Sequence, residues 1–172
     1  MGDKIRLGVS ACLLGQRVRF DGGHKLDRFI TETLGQFVDY VPVCPEVECG
    51  LPVPRETMHL VGDPAAPRLV TIRTNVDHTE RMVAWARTRV AELEGEGLAG
   101  FILKARSPSC GIADAEVCPA DGAPGVPGDG LFTRILRERC PLLLLWNEGS
   151  ARCVSPGRNF GEGARDGSPP PK

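Results

Sequence analysis

Apolar residues in this chain cluster into short unbroken runs, and helix-spaced stretches lie between those runs. Ile5 to Val9 is apolar apart from Arg6, and Ala99 to Leu103 (AGFIL) carries no polar side chain. Runs of this kind mark strands buried on both faces, as in a parallel sheet. Phe37 to Val43 and Leu142 to Trp146 read as two further strands. Leu26, Phe29, Ile30 and Leu34 recur at helical spacing, which predicts a helix from His24 to Leu34 with Gly35 as its stop. A second helix is predicted from a cap at Asn75 or Asp77 through Leu93, with Met82, Val83, Trp85, Ala86, Val90 and Leu93 as its apolar face. Leu131 to Glu138 predicts a third, shorter one. Strand, helix, strand repeated in this way specifies an α/β fold, a Rossmann-like three-layer sandwich around a mainly parallel sheet.

Proline and glycine break the pattern in two places. Between Cys49 and Arg68 stand Pro52, Pro54, Pro64 and Pro67, which predict an elaborated loop. Met58 to Val61 and Leu69 to Arg73 flank a Gly-Asp-Pro turn there, so a small accessory hairpin is expected outside the main sheet. Cys118 to Gly130 reads as a second loop. Beyond Asn147 the composition turns to Gly, Ser, Arg and Pro; we expect one domain over 1–148 and a flexible tail over 149–172.

Composition narrows the function. A chain of 172 residues is of single-domain size and needs no disulfide to fold. Its net charge of −1, from 21 basic and 22 acidic residues, gives no general field for a nucleic-acid polymer or an anionic membrane. The start MGDKIRLGVSACLLG lacks the pattern of a secretory signal, so a cytoplasmic protein is expected. Seven cysteines in a reducing compartment read as ligands, nucleophiles or buried thiols rather than disulfides.

The segment after the first strand, SACLLGQRVRFDGG, has neither a dinucleotide fingerprint nor a P-loop. It has Cys12. Cys44 follows the second strand and stands beside Pro45, and Cys110 follows the run ending at Leu103 and stands beside Gly111. Carboxyl ends of parallel strands are where open α/β sheets place ligands, and neighbouring strands lie about 4.8 Å apart. Three converging thiolates call for a soft cation: a zinc ion with one open position, or a 4Fe-4S cluster with one iron left free. Spacing does not separate the two. Ser10 faces the same end of the sheet, and Arg17, Arg19, Arg55, Lys104 and Arg106 lie in or beside the crevice loops. Of these, Ser10, Arg55 and Lys104 are the candidate substrate-binding residues.

SACLLGQRVRFDGG, CPEVECGLPVPRE and ILKARSPSCG, in that order, resemble the three signature blocks of the thiouracil desulfurase family. The resemblance implies a Rossmann-like domain, a 4Fe-4S cluster held by three cysteines, and non-redox removal of sulfur from thiolated uracil. Carried across, the ligands are Cys12, Cys44 and Cys110, and the catalytic residues are Glu46 and Ser107. Phe20 stands where the family commonly has tyrosine, and Cys49 adds a thiol to the second block. In the implied chemistry an open iron takes the substrate's sulfur, Glu46 activates water, and Ser107 donates to the ring or relays a proton. The implied partners are a small thiolated pyrimidine and, transiently, the cluster-assembly machinery. Two other functions suit the same residues: a zinc-thiolate hydrolase, and a module that binds sulfide or a thionucleotide without turnover.

Overall fold

The computed structural model describes residues 3–153. Its centre is a four-stranded parallel sheet in the order β2-β1-β5-β8, from β1 (Ile5–Ser10), β2 (Val38–Val43), β5 (Gly100–Leu103) and β8 (Leu144–Asn147). β1 and β5 are the two inner strands, and β5 is buried along its whole length. Successive side chains go to opposite faces. Phe101 and Leu103 join Val43 on one face, under α2 (Thr79–Glu94) and α3 (Leu131–Arg139). Leu7, Val9 and Ile102 face the other way, against Leu13, Ile30, Leu34 and Ala151. The sheet is thus covered on both faces, as continuous apolar strands require. Gly8 is needed for close packing, because a Cβ there would sit 2.2 Å from the Phe101 ring.

A second sheet of four strands, ordered β4-β3-β6-β7, lies beside the first. The expected hairpin is present as β3 (Met58–Val61) and β4 (Arg68–Thr71). It does not stand alone. β6 (Ala115–Cys118) pairs parallel to β3, and β7 (Val126–Gly128) pairs antiparallel to β6. The stretch read as a loop over 118–130 therefore contributes to a mixed sheet. Met58, Leu60, Leu69 and Val117 pack this sheet onto Met82 of α2 and Leu131 of α3.

The helix expected over 24–34 is shorter than its periodicity suggests. Regular turns begin only at Phe29–Thr33 and continue as Leu34–Gln36. Residues upstream stay extended because the amides of Lys25 and Asp27 donate to the carbonyls of Cys12 and Leu13. The Asp27 carboxylate then accepts from the Ile30 amide at 3.2 Å, which starts the turn where it does. At the other end, α4 (Glu148–Ala151) buries Ala151, and Arg152 pairs with Asp27 at 2.8 Å. Packing thus continues into the first residues of the expected tail, and the rest of that tail lies outside the described residues. No helix among the described residues is long and apolar enough to cross a membrane.

Candidate active site

The parallel register brings three strand ends to one edge. Ser10 ends β1 opposite Val43 of β2, so the turn holding Cys12 lies next to Cys44. Cys44 precedes α1 (Pro45–Glu48), a four-residue helix with proline at its first position, where a missing N–H costs nothing. β5 ends at Leu103, and the loop that follows returns Ser107, Ser109 and Cys110 to the same edge. That loop is seated on α3. The amides of Leu131 and Phe132 donate to the carbonyls of Pro108 and Ser109 at 3.0 and 2.9 Å. A Cβ on Gly130 would lie 2.4 Å from the Ser109 backbone, so glycine is required for this approach.

Cys12, Cys44 and Cys110 line one cavity of about 430 Å³. All three are free thiols, with Cys12 and Cys110 buried and Cys44 half-buried. Burial pushes the Cys12 thiol up to about 11, and the nearby Cys44 adds to the rise. Burial raises Cys44 as well. Burial raises Cys110 well above its ordinary value; a hydrogen bond from Ser10 opposes the shift, and Cys12 and Cys44 reinforce it. Three thiols this desolvated and this close ionise together only when a positive centre is supplied. As donors they are soft, which suits zinc or iron and sulfur. Among the described residues no three His, Cys, Asp or Glu side chains gather tightly enough for one metal ion. The thiols surround a space instead.

Glu46 lines the same cavity and is gripped at both oxygens. Arg55 holds Oε2, with Nε at 2.7 Å and Nη2 at 2.5 Å, and the Ser109 hydroxyl donates to Oε1 at 2.9 Å. Glu48 is bound as well: it accepts from the Cys44 amide at 2.8 Å and pairs with Arg89 of α2 at 3.2 Å. The Ser107 hydroxyl oxygen accepts from the amides of Ser109 and Cys110 at 3.2 and 3.1 Å. With both lone pairs so engaged, its own proton is left for another acceptor.

The expected substrate-binding residues all reach the cavity wall, each with a protein partner. The Ser10 hydroxyl accepts from the Lys104 amide at 2.9 Å. Beyond Glu46, the Arg55 side chain donates to the carbonyls of Val18 and Pro52. Lys104 Nζ pairs with Glu148 at 2.7 Å and donates to the Ala105 carbonyl at 2.9 Å. Burial pushes the Glu148 carboxyl up, but the bonds from Lys104 and the Ala105 amide outweigh it and hold the group below the usual carboxylate range. Arg19 and Arg106 also line the cavity, while Arg17 lies off it. Of the two thiols in the second signature block, Cys44 lines the cavity; Cys49 instead donates to the Glu46 carbonyl at 3.2 Å and packs beneath the second sheet.

Three features went unread in the sequence. Ser109 was legible as part of the SPSC turn, but its bond to Glu46 spans 63 positions and has no local signature. Glu148 is the last residue of the expected domain, and its pairing with Lys104 has no local signature either. Glu56, Thr57 and Met58 reach the cavity from the edge of the second sheet, a wall that only the long-range pairing of β3 creates.

The uncharacterised protein YbbK of Bacillus subtilis (strain 168) is 31% identical over 111 residues, covering 60% of this chain and 71% of its own length. The solved structure of the 4Fe-4S-dependent thiouracil desulfidase TudS matches with a TM-score of 0.70 at 30% identity, covering 89% of this chain and 95% of that one. The family model for 2-thiouracil desulfurase matches residues 7–148, a span that includes all three thiols of the cavity, Glu46 and Ser107, and so the chain belongs to this enzyme family.

Proposed function

We propose that this chain hydrolyses the carbon–sulfur double bond of a thiolated uracil without net oxidation or reduction, converting C=S and water to C=O and hydrogen sulfide. Cys12, Cys44 and Cys110 would hold a 4Fe-4S cluster, the group named for the TudS structure. The observation that carries this reading is the cavity itself, rimmed by three soft donors from three neighbouring strand ends, with a carboxylate in its wall. When bound through three thiolates, such a cluster offers a soft Lewis-acid position for the exocyclic sulfur.

The chain's own groups supply the rest. A carboxylate has about four lone-pair sites. Ser109 uses one on Glu46 Oε1, and Arg55 takes Oε2. Oε1 thus keeps a site that can accept a proton from water as its oxygen attacks the ring carbon. Ser107, whose oxygen is held by two amides, donates its proton to the ring or to the departing sulfur. Ser10 steadies Cys110, and Arg55 and Lys104 shape the wall by holding Glu46 and Glu148. A zinc-thiolate hydrolase would draw on the same three thiolates, and the metal content of anaerobically purified protein separates it from this reading.

The test is anaerobic. Protein purified without oxygen is expected to be brown, to carry about four irons per chain and to release sulfide from 2-thiouracil. Colourless protein with one zinc per chain, or brown protein that binds 2-thiouracil and never releases sulfide, would overturn the proposal.

A further inference from the structure

We propose that Ser109 is a positioning residue for this reaction: its buried hydroxyl sets the plane of the Glu46 carboxylate, while its amide helps hold the Ser107 hydroxyl. The inference rests on the reading of Glu46 as the base.

The geometry around Glu46 is asymmetric. Both Arg55 nitrogens in reach go to the same oxygen, Oε2. A grip on one oxygen is a pivot. The terminal torsion of glutamate has a broad energy well, so no rotamer preference fixes the carboxylate plane about that pivot. The Ser109 bond to Oε1 at 2.9 Å supplies the second point of attachment. It comes from a rigid source, because Ser109 is 1% exposed and its carbonyl accepts from the amides of Phe132 and Thr133 at the start of α3. Its amide donates to Ser107 Oγ at 3.2 Å. One residue, anchored on a helix, therefore touches both side chains that handle protons. The turn itself does not depend on the hydroxyl: the Gly111 amide closes it on the Ser107 carbonyl at 2.8 Å, a backbone bond that alanine at 109 would leave in place.

The experiment uses anaerobically reconstituted full-length protein with 2-thiouracil as substrate, and iron is measured in every sample. Ser109→Ala is expected to lower kcat per iron-loaded chain about 10- to 100-fold, the scale of a misplaced reacting group. KM should stay within about 2-fold and the visible spectrum per iron should not change. A kcat per loaded chain equal to wild type, or a loss that falls wholly on KM or on iron content, would overturn the proposal. A second arm needs no cluster. In metal-free protein, Ser109→Ala should lower the urea midpoint in the wild-type background and leave it nearly unmoved in Glu46→Ala. Equal losses in the two backgrounds would also overturn it. If Glu46→Ala itself turns over like wild type, the reading of Glu46 as base fails, while the metal-free cycle still decides whether Ser109 holds that carboxylate.

Discussion

The two ends of the parallel sheet each carry a hollow of nearly the same size, about 430 Å³ at the carboxyl end and about 440 Å³ at the amino end. Beyond volume they share little. The amino-end hollow is walled by Leu93, Leu98, Leu136 and Leu143, and its polar groups are Glu94 and Cys140. Glu94 faces outward to Arg139, whose hydrogen bond holds its carboxyl below the usual range. At the carboxyl end three thiols meet, and Arg55, Glu46, Ser109 and Ser107 form one continuous chain of hydrogen bonds. Size, then, does not mark the site. What marks it is strand polarity: loops leaving the carboxyl ends converge, and the sequence has spent its cysteine, serine and charged side chains there.

Substitutions at matched positions sharpen that contrast. The largest effect is expected at Glu46. Glu46→Gln should lower turnover per iron-loaded chain about 10²- to 10⁴-fold, the usual contribution of a positioned base. Glu94→Gln at the opposite end should leave turnover unchanged, as measured by sulfide release at saturating 2-thiouracil. Equal losses in the two variants would erase the distinction.

A smaller effect concerns stability. Lys104→Met strips Glu148 of a mostly buried partner 2.7 Å away and should cost about 1.5–3 kcal/mol at neutral pH by urea unfolding. Arg139→Met, which breaks the exposed pair with Glu94, should leave the midpoint where it is. The Glu148 carboxyl is depressed in the folded state, so its contribution is present above the ordinary carboxylate pKa and is lost as pH falls through the lowered folded value. The gap between wild type and Lys104→Met should therefore narrow in acid. A gap that widened would contradict the assignment. The smallest effect is expected at the rim of the amino-end hollow, where Leu142 is 91% exposed. Leu142→Ser should change stability by no more than about 0.5 kcal/mol.

The same polarity explains what could be read from the sequence. β5 was legible because a strand buried on both faces leaves an unbroken apolar run, β1 and β2 because each is mostly apolar with one charged residue, and the thiols because a cysteine follows each of these strands. The second sheet was not. β6 is the four residues AEVC and β7 only VPG, too short and too broken by proline for a local pattern. What makes β6 a strand is pairing with β3, more than 50 positions away, and β7 in turn pairs with β6. His24 to Leu26 carried helical spacing, yet the carbonyls of Cys12 and Leu13 claimed the amides of Lys25 and Asp27. Tertiary bonds overrode a local preference there. In the site, Cys12, Cys44 and Cys110 could be picked out by their places after strands, whereas Glu46 and Ser107 were singled out only through the family resemblance. The commitments of Arg55 to Glu46 and of Lys104 to Glu148 could not, since each depends on a loop crossing that no spacing encodes.

The account rests most heavily on the three thiols acting together. Iron and acid-labile sulfide should be counted per chain after anaerobic reconstitution of wild type, Cys12→Ala, Cys44→Ala, Cys110→Ala and, as the amino-end control, Cys140→Ala. Wild type and Cys140→Ala should each hold about four of both, and each of the other three should lose most of its iron. Full iron in any of those three, or its loss from Cys140→Ala, would contradict the claim.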